Sequence, residues 1–410
     1  MTKKTLYGFL FTLIAFVSLS GSAYASTSDA ANLDAKSKNI KEWTVLVFMN
    51  SDNNLDEFGL KDINEMEKIG STDQMNIIVL QDRENSVARR LYITKDSDET
   101  KITSKVIEEL GNYDMGNYQN LIGFVAWGVN NYPAKKYVLD IWNHGSGWKK
   151  SKRSSRGISY DDQSGTHIST PELGKVMAAV HESIGKKLDI LLMDACLMQM
   201  AEVNYEIKDY VRYCVASEET APGDGYAYDL FLGPLSENTS MNGYDLAKIM
   251  VQSHAAYYSN AGETSTQSAI DLERLENFTN KFDSLCAKMT ELTADKNFVK
   301  DINKKVLPFT QAFYYPENID LGHFLKIVQR SVNNKEIQAL ITETLALYAA
   351  GQNPLVIENG VNGFYTKNTT GLAIYFPPAP LEANYRELKF AKTNWALFLD
   401  SYYRALGSNK

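Results

Sequence analysis

Histidine is scarce in this chain, five in 410 residues, and cysteine is scarcer, with three. So few thiols, and an odd number of them, exclude a disulfide framework, and at least one cysteine needs its own explanation. Positive charge is also in deficit: 42 Lys and Arg against 50 Asp and Glu leave a formal net charge of −8. That balance argues against a nucleic-acid binder, which needs a basic surface to displace counterions. Apolar runs as long as the roughly 20 residues of a membrane-spanning helix are absent. What is present is core material, 44% hydrophobic and 11% aromatic residues, which excludes disorder. The length predicts about two globular domains.

The first residues have the order of a targeting segment. Lys3 and Lys4 are followed by an apolar stretch from Leu6 to Leu19, then Ser20-Gly21-Ser22 and Ala23-Tyr24-Ala25, a small-residue cleavage pattern before Ser26. Residues 1–25 are therefore expected to be a signal peptide, with 26–42 a polar linker or short propeptide. No cysteine lies near the cleavage site, so a lipoprotein signal is excluded. Export is expected, to the periplasm, the cell surface or the medium, with no stable membrane anchor once the signal is removed. An exported chain with so few cysteines is expected to keep one for chemistry.

From Trp43 onward, short apolar β-rich runs alternate with helical periodicity. The strand-like runs are Trp43–Met49, Asn76–Leu80, Arg90–Thr94, Tyr137–Trp142, Leu188–Met193 and Tyr213–Ala216. Helical patterns cover Leu55–Ile69 and residues 170–184. Continuous apolar strands imply burial on both faces, and intervening helices imply a mostly parallel sheet covered on both sides. The expected architecture is an α/β/α sandwich over 43–270. A mainly helical region follows over 271–410, with helices at Leu272–Leu292, Lys335–Ala350 and Leu388–Leu406. One strand, Gly371–Phe376, is expected to return to a sheet.

Open α/β sheets place function at the carboxyl ends of their strands. Two such ends are unusual here. One strand runs into Trp142-Asn-His-Gly-Ser-Gly-Trp148, the other into Met193-Asp-Ala-Cys-Leu-Met198. A histidine and a cysteine at the tips of two parallel strands allow imidazole-assisted attack of Cys196 on a carbonyl, with His144 returning the proton to the leaving group. Gly145 lacks a Cβ, so its N–H is a candidate oxyanion donor beside that of Cys196. Taken singly, Cys196 reads as a small buried hydrophobe and His144 as hydrogen-bonded scaffolding. Asp194 shares a face with Cys196 if the strand stays extended, and suits a cationic substrate side chain. Asp224, in the Pro222-Gly-Asp-Gly225 turn, is read equally as turn chemistry and as a pocket acid.

Other signals are weaker. Asp52-x-Asn54-x-Asp56 begins like a calcium loop, but Glu57 and Ile63 stand where an EF-hand requires Gly and Glu, so a polar loop capping the next helix is the better reading. His167, His181, His254 and His323 lack zinc spacing. Cys214 reads as core, and a Cys214–Cys286 bridge has only the compartment in its favour. No Gly-x-Ser-x-Gly elbow or phosphate-cradling loop is present.

The blocks Trp43–Met66, Trp142–Trp148, Met193–Met198 and Pro222–Gly225 together resemble the clostripain family of bacterial cysteine peptidases, from about Trp43 to about Leu235. The resemblance implies a caspase-like fold, a Cys196–His144 dyad and cleavage of protein or peptide substrates after Arg or Lys. It also implies Asp194 and Asp224 as the acidic floor of the specificity pocket, and autoprocessing between the two catalytic blocks. The segment Lys149-Lys-Ser-Lys-Arg-Ser-Ser-Arg156 is basic, Ser-rich and a good self-substrate. Arg156 is the first choice of processing site, ahead of Arg153 and Lys152, and the uncut segment would occupy the acidic pocket and hold the enzyme latent. No cofactor is required by this chemistry, calcium dependence stays open, and a monomer is expected. The alternatives are a caspase-fold surface module that binds basic peptides without cleaving them, and a transpeptidase.

Overall fold

The computed structural model describes residues 40–148, 157–349 and 353–407. Thirteen strands and eleven α-helices form among them. The strands are β1 (Lys41–Ser51), β2 (Met75–Arg83), β3 (Ala88–Tyr92), β4 (Lys105–Gly111), β5 (Ala134–Trp142), β6 (Ile158–Asp161), β7 (Thr166–Ile168), β8 (Leu188–Asp194), β9 (Val211–Ala216), β10 (Ser265–Asp271), β11 (Asn318–Asp320), β12 (Val356–Asn362) and β13 (Ala373–Tyr375). The helices are α1 (Asp56–Ile69), α2 (Tyr118–Asn131), α3 (Thr170–Ile184), α4 (Ala201–Ile207), α5 (Tyr228–Glu237), α6 (Gly243–Ala261), α7 (Leu272–Leu292), α8 (Lys296–Asp301), α9 (Leu321–Ser331), α10 (Lys335–Tyr348) and α11 (Asn394–Gly407).

The central sheet has nine strands in the order β12-β10-β9-β8-β5-β1-β2-β3-β4. Its middle, β9 to β2, is parallel, with antiparallel pairs β3-β4 and β10-β12 at the two edges. This is the expected caspase-like α/β/α sandwich. Alternation within each strand feeds two separate cores. Leu46, Phe48, Leu139, Ile141, Leu191 and Met193 point to one face, against α2, α3 and the 271–407 segment. Val45, Val47, Met49, Val138, Ile190 and Leu192 point to the other, against α1, α5 and α6. The outer strand β4, Lys-Val-Ile-Glu-Glu-Leu-Gly, stays largely exposed and charged, which blunts a sheet edge against further pairing. Helix α3 is specified locally: Ser169 and Glu172 close a capping box, Pro171 sits in the first turn, and Gly185 ends it in the left-handed region.

Three expectations change. Residues from Lys41 onward pack as one compact unit, not two, because the helical segment shares the core of one sheet face. The strand that the C-terminal segment returns to the main sheet is β12. The expected strand over 371–376 shortens to β13 and pairs antiparallel with β11 in a separate small sheet. The first residues of the helix expected over Leu388–Leu406 form a 3-10 turn at Lys389–Lys392, so the last helix begins at Asn394.

Candidate active site

The sheet places the site through its connectivity. β1 lies between β2, which follows it, and β5, so the chain reverses direction across the sheet between β1 and β5. A crevice opens at such a switch point, at the carboxyl ends of the strands. Three segments lie there: Asp52–Asn54 after β1, Asn143–Trp148 after β5, and Ala195–Met200 after β8.

The β5 and β8 tips are locked together. Trp142 pairs with Asp194, and the Asn143 N–H donates to the Asp194 carbonyl at 3.1 Å. A Cβ on Gly145 would come within 2.3 Å of the Cys196 carbonyl oxygen, so only glycine permits this approach. The His-Gly turn thus lies directly on the Ala-Cys turn. The strand ends at Asp194, and Leu197 takes φ +65°, a left-handed conformation held by its N–H bond of 3.0 Å to the Glu219 carbonyl. Such a conformation in a bulky residue costs about 1–3 kcal/mol and concentrates at functional turns.

Cys196 and His144 are both half-buried. The Ala221 N–H donates to Cys196 Sγ at 3.2 Å, which favours the thiolate, but burial outweighs it and raises the thiol pKa. Burial likewise lowers the His144 pKa, against the pull of the nearby Asp162 carboxylate. His144 Nε2 lies 2.8 Å from Asn54 Oδ1, and no hydrogen bond joins it to Cys196 among the described residues. A thiol and an imidazole on adjacent strand tips, with an amide orienting the ring, have the parts of an activated nucleophile. Asn54 was legible in the sequence only as loop chemistry.

Asp194 faces the same loop as Cys196, although the chain between them turns. The Tyr226 N–H donates to Asp194 Oδ2 at 3.1 Å, and a Cβ on Gly225 would lie 2.6 Å from that oxygen. Burial pushes its carboxyl up to about 6, against the Tyr226 N–H and the Tyr228 hydroxyl. Two further acids lie beneath it. Tyr228 Oη is 2.5 Å from Asp140 Oδ2 and 3.2 Å from Asp194 Oδ2, and Trp142 Nε1 donates to Asp62 Oδ2 at 2.7 Å. Burial, then the neighbouring Asp194, pushes both Asp140 and Asp62 well above the usual carboxylate range. The sequence reading passed over this cluster, and Asp140, an acid inside an apolar strand, is the signal that could have found it.

Asp224 takes other partners. Its Oδ2 lies 2.8 Å from Lys61 Nζ and 3.2 Å from Tyr257 Oη, so a cation of the chain's own meets it. The turn that carries it is seated on Asp194 through Gly225. The candidate processing residues Lys152, Arg153 and Arg156 lie outside the described residues. Gly157, just after them, is buried: the Ser146 N–H donates to its carbonyl at 3.0 Å, and a Cβ would meet the Ile168 carbonyl at 1.8 Å. Cys214 and Cys286 are buried free thiols in the core. The Asp52-x-Asn54-x-Asp56 run disperses: Asp56 pairs with Arg83, Asn54 meets His144, and Asp52 turns toward Asp82 and Asp161. It does not cap α1: the Leu55 N–H, just before the helix, donates to Asn53 Oδ1 at 2.9 Å, and no side chain caps the first turn.

The model of the clostripain family matches residues 47–401. Clostripain of Hathewaya histolytica is 30% identical over 240 residues, covering 51% of this chain. The match takes in 45% of that protein, so the chain spans about half the length of the curated relative it matches. A secreted C11 cysteine protease from Bacteroides thetaiotaomicron, solved with an irreversible peptide inhibitor, superposes with TM-score 0.64 at 19% identity over 88% of this chain and 99% of that one. An inactive zymogen C11 protease from Parabacteroides distasonis gives 0.64 at 21% identity, covering 86% and 98%. These two share the fold. With the family model matching most of its length, the chain belongs to the clostripain family.

Proposed function

We propose that this protein is an exported cysteine endopeptidase that cleaves after Arg or Lys. The observation that carries the reading is the contact of the two turns, with the Gly145 Cβ position 2.3 Å from the Cys196 carbonyl, which sets a thiol and an imidazole on one crevice. In the reaction, His144 takes the Cys196 proton as sulfur attacks the scissile carbonyl. The oxyanion is met by the Cys196 and Gly145 N–H groups. His144 then protonates the leaving amine, and water hydrolyses the thioester. Burial disfavours the charged form of both groups, so proton transfer to His144 would accompany the attack. Asp194 is the acid that meets the basic side chain, and Asp224 does so once Lys61 is displaced.

Self-activation would come from cleavage between the catalytic blocks. Arg156 remains the first candidate, but the residue after it, Gly157, is held in the fold. Cleavage at Arg156 needs that residue to open, whereas Arg153 and Lys152 lie farther from the anchor in sequence. The test compares wild type with Cys196→Ala by gel and intact mass, alongside Arg, Lys and Asp peptide fluorophores under reducing conditions. Nicking between residues 149 and 157 with Arg or Lys turnover, both lost in the variant, supports the proposal. An intact wild-type chain without turnover, also after added calcium and after trypsin, overturns it in favour of a peptide-binding module.

A further inference from the structure

The large apolar side chains most exposed among the described residues are four aromatics: Tyr365 at 83%, Phe364 at 71%, Tyr314 at 65% and Phe309 at 64%. Two loops carry them, one between residues 307 and 317, the other between 363 and 367. Apolar side chains exposed singly are ordinary, but exposed aromatics grouped beside a crevice mark a contact site.

The second loop opens on the catalytic edge of the sheet. β10 is antiparallel to both β9 and β12, so β12 runs in the same direction as β9 and β8. Its carboxyl end at Asn362 therefore emerges on the side where the β5 and β8 tips lie. Gly363 then takes φ +97° and turns the chain. The loop is fastened: Thr366 Oγ1 donates to the Asn362 carbonyl at 2.6 Å, and Gln311 Nε2 donates to the Tyr365 carbonyl at 2.8 Å. The second of these bonds ties it to the loop that carries Tyr314.

That loop is joined in turn to the cysteine. The Tyr314 N–H donates to Glu219 Oε1 at 3.1 Å. The Glu219 carbonyl accepts from the Leu197 N–H, and two residues on, the Ala221 N–H meets Cys196 Sγ. Farther along the same segment, the Tyr226 N–H donates to Asp194. The chain after β9 thus touches the aromatic loop, the thiol and the acid in that order. Each exposed tyrosine is braced by its neighbour: the Tyr314 and Tyr315 rings meet at 5.1 Å and 72°, and the Phe364 and Tyr365 rings at 5.7 Å and 84°. Lys367 Nζ lies 4.0 Å from the Phe364 ring centre, so a cation of the chain's own covers that ring.

We propose that Tyr314 and Tyr365 form an aromatic subsite that takes an apolar side chain of the substrate next to its Arg or Lys. The inference rests on the peptidase reading and extends its recognition from one substrate residue to two. Tyrosine suits the task, since its ring offers a large contact area and loses little rotamer freedom on binding. The backbone ties to Gln311 and Glu219 hold both loops in place beforehand, which lowers the ordering cost of binding.

The test uses purified mature protein and internally quenched peptides with a single Arg. Phe stands in turn at each of the two positions before and the two after the Arg, with Ser at the others, and an all-Ser peptide is the reference. At one of these positions Phe is expected to raise kcat/KM about tenfold or more, the effect of burying one apolar side chain. Combining Tyr314→Ala with Tyr365→Ala should remove most of that ratio. Combining Tyr314→Phe with Tyr365→Phe, which keeps the rings, should retain it. Leu397→Ala, which removes an exposed apolar side chain on α11, should leave it unaltered. Because the peptides share one scissile bond, general damage to the reacting groups cancels in the ratio. A wild-type ratio near one at every position, or an undiminished ratio in the double Ala variant, overturns the subsite while turnover keeps the peptidase reading. If wild type cleaves none of the peptides, the peptidase reading fails, and fluorescence anisotropy of the same peptides on Cys196→Ala protein decides the subsite separately. Severalfold tighter binding of a Phe peptide, lost on adding the two Ala substitutions, supports it. Equal binding of Phe and Ser peptides overturns it.

Discussion

The tips of β5 and β8 and the tips of β1 and β2 occupy equivalent places on one sheet, yet they are built for different tasks. At β5 and β8, glycine and a left-handed leucine bring two turns into contact, and burial disfavours the charged forms of a thiol and an imidazole. At β1 and β2, the strands bring three buried carboxylates together beside a buried amide oxygen, with no ion pair to them among the described residues. The shared topology supplies the crevice. The residue types at each tip decide between a reacting centre and an electrostatic one. Asn54 joins the two, since it leaves the acidic tip and ends on His144.

The comparison breaks most sharply at the nucleophile. Cys196→Ala is expected to lower kcat/KM for an Arg or Lys peptide by about 10⁴-fold or more, as removal of a nucleophile does elsewhere. Equal loss in Asp82→Asn would make the acidic tip part of the chemistry and erase the distinction.

Recognition comes next. Asp194→Asn should raise KM for Arg and Lys substrates by about 100-fold, since it removes the charged acceptor of a charge-assisted hydrogen bond. The sign with pH is fixed by its carboxyl near 6. A cationic side chain binds the ionised form, so wild-type KM should rise as pH falls below 6 and stay flat in the variant. Kinetics from pH 5 to 8 would check it.

Two smaller effects separate positioning from binding. Asn54→Ala should lower kcat about tenfold with little change in KM, and shift the pH profile, because the imidazole loses its orienting partner. Lys61→Met should lower KM severalfold for Arg and Lys substrates, because it frees Asp224. An unchanged KM would remove Asp224 from the pocket.

The smallest effect is on stability. Glu65 and Glu202 are pushed up to about 7 by burial, so both favour the protonated form in the fold. Their contribution is full below the unfolded value near 4.5 and is lost as pH rises through about 7. Thermal melts of Cys196→Ala should therefore give a melting temperature a few degrees higher at pH 5.5 than at pH 8. Glu65→Gln and Glu202→Gln should each flatten that difference.

Much of the fold was legible because its strands are continuous apolar runs. β1, β2, β5 and β8 were visible by composition, and α3 and α7 by their periodicity. β4 and β12 were not, since they lie at the sheet's edges and carry polar residues that match no buried pattern. Of the candidate site, His144, Gly145, Cys196 and Asp194 stood at strand ends and were nameable from that position alone. Asn54, Lys61, Asp62 and Tyr228 were not, because each reaches the crevice from a distant segment through a side chain. The segment holding Lys152, Arg153 and Arg156 is a matter of sequence alone.

What the sequence determined by itself is local: which runs are strands, which turns need glycine, and which strand ends carry a thiol, an imidazole or an acid. Those follow from side-chain periodicity and backbone sterics, which act within a few residues. What only the tertiary structure decided is pairing. That Asp224 meets Lys61, that Asp194 lies above Asp140 and Asp62, and that Asp52, Asp82 and Asp161 converge beside Asn50 all depend on strand order and register. Electrostatics and burial depend on distances in space, which a chain acquires only once its sheet has closed.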